Sequence, residues 1–238
     1  MRRSEQGVTL PFFCRVSDGR YYWAKGAGAG RRALCCEWLA GSLAQKLDLP
    51  VPPIAFLRVD ENLIRHSARP DIHDLGPGIV FGSEHVADAQ EYGFEDAKNL
   101  MKRKPGLARL ILIFDWWIQN GDRTLGELGG NPNLMVGASK SITIVIDHNL
   151  AFDADWTSAQ FFAGHLFASM HRSGERQWLL EVRRKMQHLV GEIENLWKQL
   201  PETWLHLDAE LSQPIDFRLE EIVGVLNRVN SSWDQTWS

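Results

Sequence analysis

The period at which apolar residues recur changes part-way along the chain, and this limits the fold more than any other feature. Val8 to Val16 and Arg20 to Lys25 read as the arms of a β-hairpin around Ser17-Asp18-Gly19. A Gly/Ala stretch over 26–30 leads into a helix over 31–47, which Leu49-Pro50 stops. Pro53 to Val59 and Gly78 to Gly82 read as further strands, with 60–77 irregular between them and a polar, acidic connection over 83–97 after them. Then the period lengthens. Leu107, Leu110, Ile111, Phe114 and Ile118 mark a strongly apolar helix over 107–119. Glycines and a proline make 121–132 a loop, and Asn133 to Val136 and Ser141 to Ile146 are two short β runs. Beyond residue 155, stripes such as Leu179, Val182, Met186, Leu189 and Ile222, Leu226, Val229 mark helices facing a core. This order predicts an α+β protein of two lobes. A small β-rich lobe with one helix spans 1–82, a connection 83–104, and a mostly helical lobe 105–238. The cleft between lobes is the natural place for a ligand.

Composition narrows the function classes. The 238 residues carry 26 basic and 30 acidic side chains, a net charge of -4, which argues against a broad nucleic-acid footprint. Lys102-Arg103-Lys104 and Arg183-Arg184-Lys185 read as solvated faces. The three cysteines, Cys14, Cys35 and Cys36, form no CxxC and give an odd count, so neither a disulfide framework nor a zinc site is expected and a reducing cytoplasm is the default. Arg2 and Arg3 are followed by polar Ser4, Glu5 and Gln6, unlike a signal peptide, and the apolar run 107–118 is interrupted by Arg109 and Asp115 and too short to span a bilayer. No membrane association is expected. GxSxG, HExxH and Walker A signatures are absent.

The loop after the apolar helix holds the richest chemistry: Asn120-Gly121-Asp122-Arg123, then Asn131-Pro132-Asn133, then Ile146-Asp147-His148 at the end of the second β run. A turn and a hairpin separate Asp122 from Asp147 and can bring them together. Carboxylate and carboxamide oxygens suit a hard cation such as Mg²⁺, and one carboxylate could instead accept a proton from an attacking hydroxyl. The plainer alternative makes Asp122 and Asn131 turn formers that bond their own backbone. Asp115, one turn earlier on an apolar helix, needs donors if buried; the Asp122 loop, through its amides or Arg123, is expected to supply them.

Lys25 ends the aromatic strand Tyr21-Tyr22-Trp23-Ala24. Glu37, on the following helix, shares a face with Ala33, Ala40, Gly41 and Ala44, which lets another backbone approach. A carboxylate buried there needs a partner, and Lys25 is one. The alternative is a surface pair with Arg31, Arg32 or Lys46.

A strand lysine, a glutamate on the next helix, then Asp…Asn…Asp is the chain order used by protein kinases, although the HRD and DFG spellings are missing. The chain resembles the HipA-like kinase family in its short form. The stretches that carry the resemblance are Asp18-Gly19-Arg20-Tyr21-Tyr22-Trp23-Ala24-Lys25, Leu47-Asp48-Leu49-Pro50-Val51-Pro52, Phe114-Asp115-Trp116-Trp117-Ile118-Gln119-Asn120-Gly121-Asp122-Arg123, Asn131-Pro132-Asn133-Leu134, Ile146-Asp147-His148 and Leu200-Pro201-Glu202-Thr203-Trp204. It implies a two-lobed kinase-like fold and an ATP- and Mg²⁺-dependent transfer to a serine or threonine hydroxyl on a protein. Lys25 would contact the nucleotide phosphates, Glu37 would orient it, Asp122 would be the catalytic aspartate, and Asn133 and Asp147 would hold Mg²⁺. Adenine would sit near Ser83, Glu84 and His85. Family members include toxins restrained by an antitoxin, so such a protein is an implied partner.

Two departures stand out. The gap from Asp122 to Asn133 is eleven residues, with Gly126-Glu127-Leu128-Gly129-Gly130 as an insertion. That leaves Asn131 or Asn133 as the metal ligand, with Asn133 favoured because a strand fixes its direction. A glycine-rich phosphate loop would fall over 4–11, where Gly7 is the only glycine, so Ser4, Thr9 and backbone amides would do the clamping. Two rival readings remain: a catalytically impaired pseudokinase or binding module, and a dinucleotide-binding oxidoreductase built on Gly28-Ala29-Gly30-Arg31-Arg32-Ala33 with Asp60 as the ribose acid.

Overall fold

The computed structural model describes residues 1–3, 10–126, 129–138, 142–171, 174–208 and 210–237. Strands β1 (Arg2–Arg3), β2 (Phe12–Arg15) and β3 (Tyr21–Lys25) precede helix α1 (Arg31–Lys46), and β4 (Ile54–Val59), α2 (Glu61–His66) and β5 (Gly78–Glu84) follow it. These strands form one sheet in the order β1-β2-β3-β5-β4. Every pair in it is antiparallel, so the parallel βαβ unit that a dinucleotide fold requires is missing from this sheet. The expected hairpin is present, with Arg15 opposite Tyr21 across the turn.

Glycine 26 has a packing reason: a Cβ there would lie 1.8 Å from the Leu75 carbonyl oxygen. The Gly/Ala stretch therefore serves a close backbone crossing. Asp60, the candidate ribose acid, instead caps α2, its Oδ1 accepting the Asn62 N–H at 2.7 Å. Residues 60–77 are thus more regular than expected, with α2 and a 3₁₀ turn over Ile72–Asp74.

The remainder carries β6 (Gln90–Glu91), α3 (Phe94–Arg103), α4 (Pro105–Trp117), β7 (Leu134–Val136), β8 (Thr143–Val145) and α5 (Ser158–Gly164). Helices α6 (Arg176–Val190), α7 (Ile193–Trp197), α8 (Leu219–Leu226), α9 (Arg228–Ser231) and α10 (Trp233–Trp237) complete it. The expected connection over 83–97 holds two unforeseen elements. β6 joins β7 and β8 in a second antiparallel sheet, and α3 begins at Phe94 with the Gly93 N–H donating to Asp96 Oδ2. Helix α3 buries only Ala97 and Leu100, too short a stripe to show a period.

Helix α4 is the centre of the core. From Ile111 to Trp117 every residue is fully buried, as a helix apolar on all sides must be. Each large side chain sequestered there contributes about 1.5–3 kcal/mol. Helix α1 packs Leu34, Leu39 and Leu43 into the same core. Its thiols, Cys35 and Cys36, are buried and pushed up to about 12 by that burial, which removes them as nucleophiles at neutral pH. No helix among the described residues is long and apolar enough to cross a membrane.

Candidate active site

Four segments bring the chemistry together. Strand β3 delivers Lys25 at its end, and α1 presents Glu37 from its second turn. The chain leaving α1 is tied to the β7–β8 hairpin by the Val145 N–H, which donates to the Pro50 carbonyl at 2.8 Å. That tie places Asp147, just beyond β8, over the lysine. Lys25 Nζ donates to Glu37 Oε1 at 2.5 Å and to Asp147 Oδ1 at 2.9 Å. Glu37 Oε2 accepts the His148 N–H at 3.1 Å, so the glutamate is fixed from both sides. Burial opposes the charge on Lys25, but the two carboxylates outweigh it and hold the ammonium well above its ordinary value. Burial pushes Glu37 up to about 7, and one ammonium shared between two carboxylates leaves the cluster a net negative charge.

The fourth segment is the loop after α4. That helix ends where Gln119 turns left-handed at φ 53°, and the Asn120 N–H closes back on the Asp115 carbonyl at 2.9 Å. Asp115 is completely buried, as expected of a structural carboxylate. Arg123 Nε donates to its Oδ2 at 2.6 Å and Asn120 Nδ2 to its Oδ1 at 3.1 Å. A third donor, His165, has no sequence signal, being far along the chain. Its Nδ1 accepts the Phe167 N–H, so Nε2 carries the proton and donates to Asp115 Oδ2 at 2.9 Å. Burial alone would raise Asp115; Arg123 and His165 hold it well below the usual carboxylate range. Arg123 Nη1 then reaches the Pro132 and Asn133 carbonyls at 3.1 and 2.5 Å. The buried pair thereby closes the loop despite the insertion.

Inside that closed loop, Asp122 Oδ2 accepts Asn133 Nδ2 at 2.8 Å and Asn131 Nδ2 at 3.2 Å. Its Oδ1 is buried and has no hydrogen-bond partner among the described residues. Burial, reinforced by Asp147 and Asp115, pushes this carboxyl up to about 6 against the pull of Arg123 and the Asn133 bond. Asn133 and Asp147 both adopt left-handed backbone, φ 46° and 58°, an unusual conformation for side chains that must be aimed. Asn133 is buried and Asn131 exposed.

A cavity of about 600 Å³, a size suited to a mononucleotide, lies beside this loop, and Asp122 itself is not part of its wall. Lys25, Glu37, Asn131, Asn133 and Asp147 contribute polar wall, and Trp23, Phe81, Tyr92 and Met135 apolar wall. Trp23 stands two residues before Lys25, on the same strand face, and the period of two could have revealed it. Glu84 and His85 also line the cavity, but their backbone N–H groups are committed to the Pro53 and Tyr21 carbonyls, both at 2.8 Å. Those amides are closed to a base. The N–H of Val86, also in the wall, has no backbone partner among the described residues. Ser4 and Thr9 lie outside the described residues. Arg32 turns away from the cavity and donates to the Ala151 and Phe152 carbonyls.

The HipA-like kinase family matches residues 1–238, the whole chain. This chain belongs to the HipA-like kinase family. None of the curated proteins matches it. The α+β layout with antiparallel sheets is consistent with the kinase-like fold of that family.

Among the described residues, no three or more His, Cys, Asp and Glu side chains cluster as a metal cage. That donor set fits Mg²⁺, which keeps waters and takes phosphate oxygens besides one or two carboxylates. The bare Asp122 oxygen and the aimed pair Asn133 and Asp147 fit a metal-bound nucleotide and an incoming hydroxyl.

Proposed function

We propose that this HipA-like kinase is an ATP- and Mg²⁺-dependent phosphotransferase acting on a hydroxyl acceptor, a serine or threonine of a protein. The reading takes 1–82 and 105–238 as two lobes enclosing the cavity, with 83–104 as their connection. The observation that carries it is the convergence of Lys25, Glu37 and Asp147 on one ion-paired cluster, with Asp122 held by Asn131 and Asn133 in the adjoining loop.

Mg²⁺ bound by Asp147 and Asn133 would neutralise charge on the phosphates and on the transferring group. Lys25 exchanges its Asp147 contact for phosphate oxygens, while Glu37 keeps the ammonium in place. Trp23 and Met135 stack the purine, and the Val86 N–H is the backbone donor open to it. Asp122 Oδ1 accepts the hydrogen bond of the acceptor hydroxyl. As the acceptor oxygen bonds to the γ-phosphorus, the bond to the β–γ bridging oxygen breaks, ADP departs, and the proton passes to Asp122. A carboxyl near 6 is ionised at neutral pH yet basic enough for that task. An antitoxin-type protein is the proposed restraining partner.

Phosphate transfer from γ-labelled ATP, compared between wild type and Asp122→Ala, tests this. Transfer lost in the variant supports the role, and equal labelling contradicts it.

A further inference from the structure

Arg228, the first residue of α9, is a half-buried cation with no ion-pair partner among the described residues. Its guanidinium carbon lies 4.5 Å from the Trp116 ring centroid and 4.2 Å from that of Trp156, so the group is held between two indoles. Its Nη1 donates to the Trp116 carbonyl at 2.9 Å. Trp116 is fixed in the central helix and fully buried, whereas Trp156 belongs to the segment that follows Asp147. That segment runs beside the catalytic loop: the Phe152 N–H donates to the Ile118 carbonyl at 2.7 Å and the Asp153 N–H to that of Gln119 at 3.4 Å. The indole then lies alongside Gly121, where a Cβ would meet Trp156 Cδ1 at 3.5 Å. Gly121 precedes Asp122 directly.

A cation between two aromatic faces is attracted to both, and the planar guanidinium stacks where an ammonium cannot. Burial lowers the pKa of Arg228 to about 10, a cost that an apolar side chain would avoid. We propose that Arg228 and Trp156 are positioning residues for Asp122: Arg228, anchored on Trp116, presses Trp156 against Gly121 and so fixes the backbone from which the catalytic carboxylate projects. Helix α9 thereby sets the acceptor end of the site without touching the nucleotide. This rests on the reading of Asp122 as the catalytic aspartate.

The test compares wild type with Arg228→Met, Arg228→Lys and Trp156→Phe, using full-length protein and two readouts. Amide hydrogen exchange over 119–123 reports the loop whatever the protein's activity. Hydrolysis of Mg-ATP, with water as acceptor, gives kcat and KM. A misplaced reacting group can cost about a hundredfold in rate, so Arg228→Met is expected to lower kcat about tenfold to a hundredfold. Its KM for Mg-ATP stays within about twofold of wild type, because the clamp adds no uniform nucleotide binding. Exchange over 119–123 rises in this variant while that of α6 does not change. Trp156→Phe, which keeps a ring against the guanidinium, retains most of the wild-type rate, and Arg228→Lys falls between it and Arg228→Met. Unchanged exchange over 119–123 in Arg228→Met overturns the inference. A wild type that neither binds nor hydrolyses Mg-ATP overturns the kinase reading instead, and the exchange arm still decides whether the clamp holds the loop.

Discussion

Lys25 Nζ stands between Glu37 Oε1 and Asp147 Oδ1, 2.5 and 2.9 Å away, so a helix carboxylate and one 122 positions beyond the lysine share its ammonium. The Glu37 contact is the structural half of this arrangement and the Asp147 contact the exchangeable half. Both line the cavity, but the Glu37 side chain is only 4% exposed and also bound by the His148 N–H, whereas that of Asp147 is 26% exposed.

Lys25→Met leaves Glu37 buried without its cation and is expected to cost about 3–5 kcal/mol at neutral pH. Glu37 already rises from its ordinary 4.5 to about 7. A raised carboxyl contributes stability that is full below 4.5 and lost as pH rises through 7. Removing the lysine raises it further, so the variant loses more stability between pH 5 and pH 8 than wild type does. Urea titrations at the two pH values check this; parallel losses contradict it.

Asp122→Asn separates activity from stability. Asp122 is raised from 3.8 to about 6, so its ionisation weakens the fold as pH rises through 6. The amide cannot ionise, and the variant is expected to be about 1–3 kcal/mol more stable than wild type at pH 8. Its phosphoryl transfer falls at least about a hundredfold. Wild-type kcat is expected to fall away below about pH 6 as the carboxylate protonates. A destabilised variant, or a rate flat down to pH 5, contradicts this account of Asp122.

Asp115→Asn removes the counter-charge of fully buried Arg123 and should cost about 3–5 kcal/mol. Asp115 lies below the usual range, so its contribution is present above 3.8 and is lost only in strong acid. Chemical denaturation at pH 7 is the measurement, and a loss under about 1 kcal/mol would show that the pair is dispensable, as exposed pairs are.

Much of this site was legible in the sequence, for identifiable reasons. The Lys25–Glu37 pair followed from a carboxylate on a small-residue helix face, and the Asp115–Arg123 pair from a charge on an apolar helix. Both are demands of burial, which local sequence exposes. His165 and Arg228 were not legible, because their partners lie 50 and 112 residues away. Helix α3 was hidden by its short apolar stripe. The amides of Glu84 and His85 could not be assigned without the strand pairing that occupies them. The glycine motif over 28–33 carried only a rival reading: its spacing suits a phosphate turn, yet Gly28 faces Asp74, where a Cβ would lie 2.7 Å from the aspartate Cβ.

Asp147→Asn and Asn133→Ala are expected to weaken Mg-ATP binding by about tenfold or more, with far less effect on ATP in EDTA. Calorimetric titration with and without the metal distinguishes the two. Equal affinity in wild type and Asp147→Asn removes Asp147 from the ligand set.

The most direct measurement is the melting temperature of the wild-type chain with Mg-ATP and, separately, with NAD. A ligand at 100 times its Kd stabilises the native state by about 2.7 kcal/mol. Mg-ATP is expected to raise the melting temperature by several degrees, NAD to leave it unchanged, and Lys25→Met to lose the rise. No rise with Mg-ATP, or a rise with NAD alone, would contradict the account.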